Sequence, residues 1–206
     1  MRTHKDRVIV LKSLDYSERD KILTVLGKVT GKFTILAKGI RKLESKNRGS
    51  IQTLSLSNIS YYQAEGMPLL IESESIVTPD FTKINIKNIE RCLMLINKLL
   101  PDNEPYEKIF DSLESVIQHN FDNASVNRFR LIFLISEGLI NDLNICSTCQ
   151  EKTPKYLDCT TVDFLCEACG EKVNNKLMKL DKRLYSNDDF SLILDRYINK
   201  LLKEII

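Results

Sequence analysis

The run Lys21-Ile-Leu-Thr-Val-Leu-Gly-Lys-Val-Thr-Gly-Lys-Phe-Thr-Ile-Leu-Ala-Lys38 decides the fold of the N-terminal part. Apolar, largely β-branched residues alternate with Lys and Thr on both sides of Thr30-Gly31, a tight-turn signal, which predicts two strands, 21–28 and 32–38, joined as a hairpin. Similar segments flank it at Arg7–Leu14, Ile51–Tyr62 and Leu69–Val77, the last two separated by Glu65-Gly66-Met67-Pro68, a second hairpin connection. Five short strands in about 70 residues suit a small antiparallel barrel, with the five-stranded oligonucleotide-binding (OB) fold the leading candidate. The stretch Gly39–Ser50 is polar, basic and bounded by glycines, and reads as a mobile loop.

After Thr78-Pro79-Asp80 the period changes from two to between three and four. Ile89, Cys92, Leu93, Ile96, Leu99 and Leu100 lie on one helical face that ends at Pro101. A second helix is expected from Pro105 to about His119. A third follows Asn123 and stops near Gly138, and a last one follows the capping run Asn187-Asp188-Asp189. That last helix is expected to pack back on the other three. The class is α+β, divided into an OB-fold barrel (1–80), a helical domain in two parts (81–145 and 171–206) and a small module inserted at 146–170.

That module is defined by Cys146-Ser-Thr-Cys149 and Cys166-Glu-Ala-Cys169, two CxxC pairs 16 residues apart. The spacing matches a four-thiolate zinc site, in which each CxxC turn aims two sulfurs at one tetrahedral ion. Four protein ligands leave no open position, so one structural Zn2+ is expected, stapling a ribbon whose Lys155–Leu165 segment alternates like a β-hairpin. Cys92 reads as helix core, and Cys159 lies outside both pairs. A redox role would need a CxxC opening a helix in a βαβ context, and a zinc deaminase would need an HxE segment; His4 and His119 supply neither. No GxxxxGK[ST], GxGxxG or GxSxG occurs, so no enzyme is indicated.

The composition of the 206 residues, 43% hydrophobic and 28% charged, is that of a globular chain. Val8–Leu11 is too short for the core of a secretory signal and no apolar run approaches the roughly 18 residues of a membrane span, which predicts a cytoplasmic chain with no membrane partner. The net charge of +2 is unevenly placed. Residues 1–80 hold 13 Lys/Arg against 9 Asp/Glu, and 28–48 hold seven cations against Glu44 alone. Lys32, Lys38, Arg41, Lys42, Lys46 and Arg48 on a small barrel would form a track for a phosphate backbone, whereas the same lysine-rich loop on a generic domain is as often a solvated face. Tyr16, Phe33, Tyr61 and Tyr62 are candidate stacking platforms, with Phe33 better read as core.

Tyr16-Ser-Glu18-Arg-Asp20, Thr24, Gly31-Lys32, Ala37-Lys38-Gly39-Ile-Arg41-Lys42, Ser45, Arg48-Gly49 and Leu54-Ser55 together resemble the N-terminal domain of the RecO family of bacterial DNA repair proteins. The CxxC pairs sit where many members carry a zinc finger. The resemblance implies a recombination mediator that binds single- and double-stranded DNA and anneals complementary strands. It also implies work with RecR, docking of the single-stranded DNA-binding protein's C-terminal tail, and loading of RecA, in the cytoplasm at the nucleoid. It assigns DNA contact to Lys32, Lys38, Arg41, Lys42 and Arg48, with Lys46 added on charge. The tail is expected in a hydrophobic groove with a basic rim, with the helix bearing Arg128 and Arg130 as the candidate rim. Two other functions fit the same parts: a zinc-ribbon and OB-fold protein of the RNA-binding class, and a zinc-stabilised interaction scaffold.

Overall fold

In strand β3 (Gly31–Ala37) buried and half-buried residues alternate without a break, placing Phe33, Ile35 and Ala37 inward. A computed structural model describes residues 3–63 and 65–205. Four further strands share the sheet with β3: β1 (Thr3–Asp15), β2 (Lys21–Gly27), β4 (Leu56–Tyr62) and β5 (Leu69–Val77). The pairings close in the order β1-β2-β3-β5-β4, a closed barrel. Closure is possible because β1 is long: its first half pairs with β4, Thr3 opposite Tyr62, and its second half with β2, Asp15 opposite Lys21. The inward residues Val8, Val10, Leu23, Val25, Phe33, Ile35 and Ile59 form one cluster. Burial of a side chain of this size stabilises by about 1.5–3 kcal/mol, which makes this cluster the main support of the barrel.

Two strand limits differ from the expectation by more than one residue. β1 begins at Thr3, four residues before Arg7, and β4 begins at Leu56 instead of Ile51. The reason for the second is a turn: Leu54 adopts φ 64°, its N–H reaches Val10 O at 2.7 Å, and Val10 N–H reaches Ser55 O at 3.1 Å where the β1 register shifts. The segment 39–50 contains no strand or helix. It is nevertheless a chain of hydrogen-bonded turns: Lys42 N–H to Gly39 O, Ser45 N–H to Lys42 O, Arg48 N–H to Ser45 O and Ser50 N–H to Asn47 O, at 3.1–3.3 Å.

The chain separates into two compact units between Asp122 and Asn123. The first contains the barrel and helices α1 (Ile86–Leu99) and α2 (Glu107–Gln118). Asn85 caps α1, its Oδ1 accepting from Lys87 N–H at 3.0 Å. Several contacts fasten these helices to the strands. Arg7 pairs with Glu114 at 2.6 Å and Lys28 with Asp111 at 2.8 Å. Gly31, at φ 81°, lets the β2–β3 turn lie against the backbone of Glu104, where any Cβ would collide.

The second unit contains α3 (Asn123–Ser136), the strands β6 (Tyr156–Asp158), β7 (Phe164–Leu165) and β8 (Leu177–Lys179), the short helix α4 (Glu167–Gly170) and α5 (Asp188–Ile205). β6 and β7 form the hairpin expected between the cysteine pairs, and β8 adds a third strand in the order β7-β6-β8. Asn187 caps α5, with Oδ1 accepting from Asp189 N–H at 2.8 Å. α3 and α5 are tied by Asn127, which donates to Tyr185 O and Ser191 Oγ, and by Arg130. Among the described residues no helix is long and apolar enough to cross a membrane.

Candidate functional site

Five of the six cations singled out in the sequence, Lys38, Arg41, Lys42, Lys46 and Arg48, are exposed on the turns after β3. The turns are held to the β1–β2 connection. Asp20 Oδ1 accepts from Gly39 N–H at 2.7 Å, Arg41 N–H donates to Arg19 O at 3.1 Å, and Arg41 Nη1 donates to Ser17 O at 2.8 Å. The Gly39 hydrogen bond, outweighing slight desolvation, holds the Asp20 carboxyl below the usual aspartate value. Further along, Asn47 clamps β5: its Nδ2 donates to Ile71 O and its Oδ1 accepts from Ser73 N–H at 2.9 Å.

Beside these turns lies a groove of about 590 Å³, lined by Ser13, Asp15, Lys21, Ile40, Arg41, Arg48, Ile51, Gln52 and Thr53. Three cations face one acid. Asp15 is shared, 3.4 Å from Arg41 and 3.7 Å from Lys21. Among the described residues Ser13 Oγ is buried without a partner. Such a lining of guanidinium, ammonium, hydroxyl and amide groups suits an oxyanion-bearing ligand such as a phosphodiester. A larger depression of about 850 Å³ over Lys5, Arg7, Lys28, Glu72 and Glu74 is of mixed charge, and its Arg7 and Lys28 already hold Glu114 and Asp111. Lys21, Ser13 and Gln52 line this groove and were not singled out in the sequence; Lys21 opens β2, Ser13 lies near the end of β1, and Gln52 lies in the turn before β4.

Lys32 stands apart. Its side chain is 12% exposed, and its ammonium lies 2.6 Å from Leu100 O and 3.2 Å from Asp102 Oδ1. It neutralises carbonyl density at the C-terminus of α1, as cations at helix ends do. Phe33 and Tyr61 are interior, their rings 5.4 Å apart, and Tyr61 also stacks on His4. Tyr62 is half-buried, whereas Tyr16 is 63% exposed.

Arg130 does not provide a rim. It is fully buried, with Nη2 2.7 Å from Asp195 Oδ1 and Nη1 donating to Asn127 Oδ1, so it braces α3 against α5. Arg128 lies over the Tyr185 ring at 5.0 Å. His119 is the exposed C-cap of α2, its Nδ1 2.8 Å from Ser115 O.

The sulfurs of Cys146, Cys149, Cys166 and Cys169 all lie within 4.8 Å of one another, two of the residues buried and two half-buried. Cys149 Sγ and Cys166 Sγ are 3.9 Å apart. A tetrahedral ion with metal–sulfur distances of about 2.3 Å places its sulfurs about 3.8 Å apart, so the cage has the dimensions of a tetrathiolate centre. The local chain explains how it forms. The first CxxC turn closes through Gln150 N–H to Cys146 O at 2.9 Å, and the second CxxC opens α4. Burial opposes ionisation of Cys146, but the amides of Cys149, Cys166 and Thr148 outweigh it and draw the thiol down to about 6. Hydrogen bonding to Cys166, then burial, pushes Cys169 up to about 12. These four residues are thus positioned to hold one metal ion. Cys159 is outside the cage, its thiol pushed up by burial and 4.0 Å from Leu157 O. Cys92 is buried in α1.

Residues 1–78 match the family described as recombination protein O N terminal. Over 179 residues the chain is 28% identical to the DNA repair protein RecO of Shouchella clausii, covering 82% of this chain and 69% of that protein. It is 26% identical over 188 residues to RecO of Myxococcus xanthus (86% and 77% covered) and 25% identical over 211 residues to RecO of Thermodesulfovibrio yellowstonii (98% and 80%). The first 78 residues are thus similar to the recombination protein O N-terminal domain, and most of the chain aligns at 25–28% identity with 69–80% of the length of these RecO DNA repair proteins.

Proposed function

We propose that the protein is a recombination mediator that binds DNA through the cationic turns on its barrel, anneals complementary strands and helps load RecA onto strands covered by single-stranded DNA-binding protein. Its homologues support a role in DNA repair and recombination. The observation that carries the finer proposal is the set Lys38, Arg41, Lys42, Lys46 and Arg48, exposed together on turns that Asp20 and Asn47 fasten to the barrel. A cationic surface directed at phosphates offsets the repulsion between two strands without reading bases, so pairing itself selects the sequence. Nothing in that task requires bond-making by the protein, and we assign it no catalytic residue. The five-stranded closed order supports an OB-type barrel within residues 1–80 as the DNA-binding part.

The tetrathiolate cage fits Zn2+, held by Cys146, Cys149, Cys166 and Cys169. With four sulfur ligands and no open position, the ion would supply structure alone, fixing the β6–β7 hairpin and α4. RecR, the tail of single-stranded DNA-binding protein and, indirectly, RecA are the proposed protein partners, acting at the nucleoid in the cytoplasm. The test is fluorescence annealing of complementary oligonucleotides, bare and coated with the cognate single-stranded DNA-binding protein. Acceleration of both supports the mediator role; no acceleration with a preference for structured RNA overturns it.

A further inference from the structure

Two of the most exposed apolar side chains of the first unit lie on the two connections that the Asp20 and Arg41 hydrogen bonds lock together. Tyr16 is 63% exposed at the start of the β1–β2 turn, where Tyr16 N–H closes on Asp20 O at 3.0 Å. Leu43 is 88% exposed within the Lys42–Ser45 turn. Arg41 joins the two, because its N–H sits on Arg19 O and its guanidinium on Ser17 O. Leu43 follows Arg41 by two residues, at most about 7 Å of chain. A single exposed leucine signifies little. Here the leucine and an exposed tyrosine stand on one pinned junction, flanked by Arg19, Lys21, Lys38, Arg41, Lys42, Lys46 and Arg48 against Asp15, Glu18, Asp20 and Glu44. Asp20 and Asp15 are already engaged, by Gly39 N–H and by Arg41 with Lys21.

We infer that Tyr16 and Leu43 are base-contacting residues, against which unpaired bases of single-stranded DNA pack while its phosphates run along the groove of Lys21, Arg41 and Arg48, an assignment that rests on the DNA-binding role proposed above. The charge pattern selects a polyanion. Exposed flat and apolar side chains among the cations select a polyanion whose bases are free to turn outward, since a duplex keeps its π-faces stacked inside. Asp20 and Arg41 then act as positioning residues, holding the two connections in register.

The experiment is anisotropy titration of the full chain with a labelled oligothymidylate, an abasic phosphodiester of the same length and a blunt duplex. The intact protein binds oligothymidylate at least about fivefold more tightly than the abasic strand, the low end of the range for loss of one stacked base. Tyr16→Ala and Leu43→Ala each narrow that gap and leave the salt slope and the duplex affinity unchanged, while Tyr16→Phe keeps the gap. Equal affinity for the two single strands, a gap that survives both alanine variants, or an equal loss on duplex overturns the base contacts. Absence of salt-dependent binding to any of the three probes overturns the DNA-binding role itself.

Discussion

Lys32 and Arg41 look alike in the sequence and are placed in opposite situations, and the salt dependence of DNA binding separates them. Five exposed cations each touching a single-strand phosphate give a slope of log affinity on log salt of about −3.5, at about 0.7 per contact. Between 50 and 200 mM salt that slope weakens binding by about 130-fold. Arg41→Ala with Lys42→Ala removes two contacts, so the slope falls to about −2.1 and the loss over the same range to about 20-fold. Lys32→Met leaves the slope at its original value, because the ammonium is occupied by Leu100 O and Asp102. Its cost falls on folding instead, about 1.5–3 kcal/mol for a hydrogen bond to a charged group. Anisotropy titrations at several salt concentrations, with a urea melt of each variant, provide both numbers. A slope that flattens for Lys32→Met without loss of stability, or one that stays unchanged for the double variant, would refute the reasoning.

Metal analysis of freshly purified protein should return one zinc per chain, with Cys166→Ser lowering the melting temperature while low-salt DNA affinity partly persists; protein that carries no metal ends the zinc proposal. Asp20 has its carboxyl lowered in the folded state, so its stabilisation of the pinned turns is complete above the ordinary value of 3.8 and fades as pH falls through the lower folded value. The Gly39 amide resonance should report that acid transition and lose it in Asp20→Asn; an identical acid response in both proteins contradicts the pin. Arg130→Met should destabilise by about 3–5 kcal/mol in urea melts because it breaks the ion pair that a fully buried guanidinium makes with Asp195, and Asp195→Leu added to it should recover most of the loss. Additive losses in that pair would argue against the ion pair.

Strand identity was legible because period-two alternation is a property of neighbouring residues, as in β2 and β3. The cysteine cage was legible for a similar reason, its spacing being set by two local turns. What escaped depends on distant chain. Ile51 and Leu54 read as strand, but the hydrogen bonds of Leu54 and Ser55 to Val10 turn the backbone there. Lys32 read as part of the track because nothing nearby announces that its partner is a carbonyl 68 residues on. Arg130 read as a cation of the groove rim, because its partners Ser191 and Asp195 lie 61 and 65 residues further along the chain. β8 was missed because three residues after Asn174-Asn175-Lys176 carry no period at all.

The absence of a side chain at Gly31 bears on how the molecule can be taken apart. Its turn seats against Glu104, Lys32 reaches Leu100, and Arg7 reaches Glu114, so the strands use the two following helices as their outer wall. Cutting the chain after Val77 would strip that wall and remove the partners of donors on two strands, Arg7 of β1 and Lys32 of β3. The barrel and the two helices that follow it therefore form one compact unit through Asp122, and an excerpt ending at Val77 would fold without its contacts to Leu100, Glu104 and Glu114.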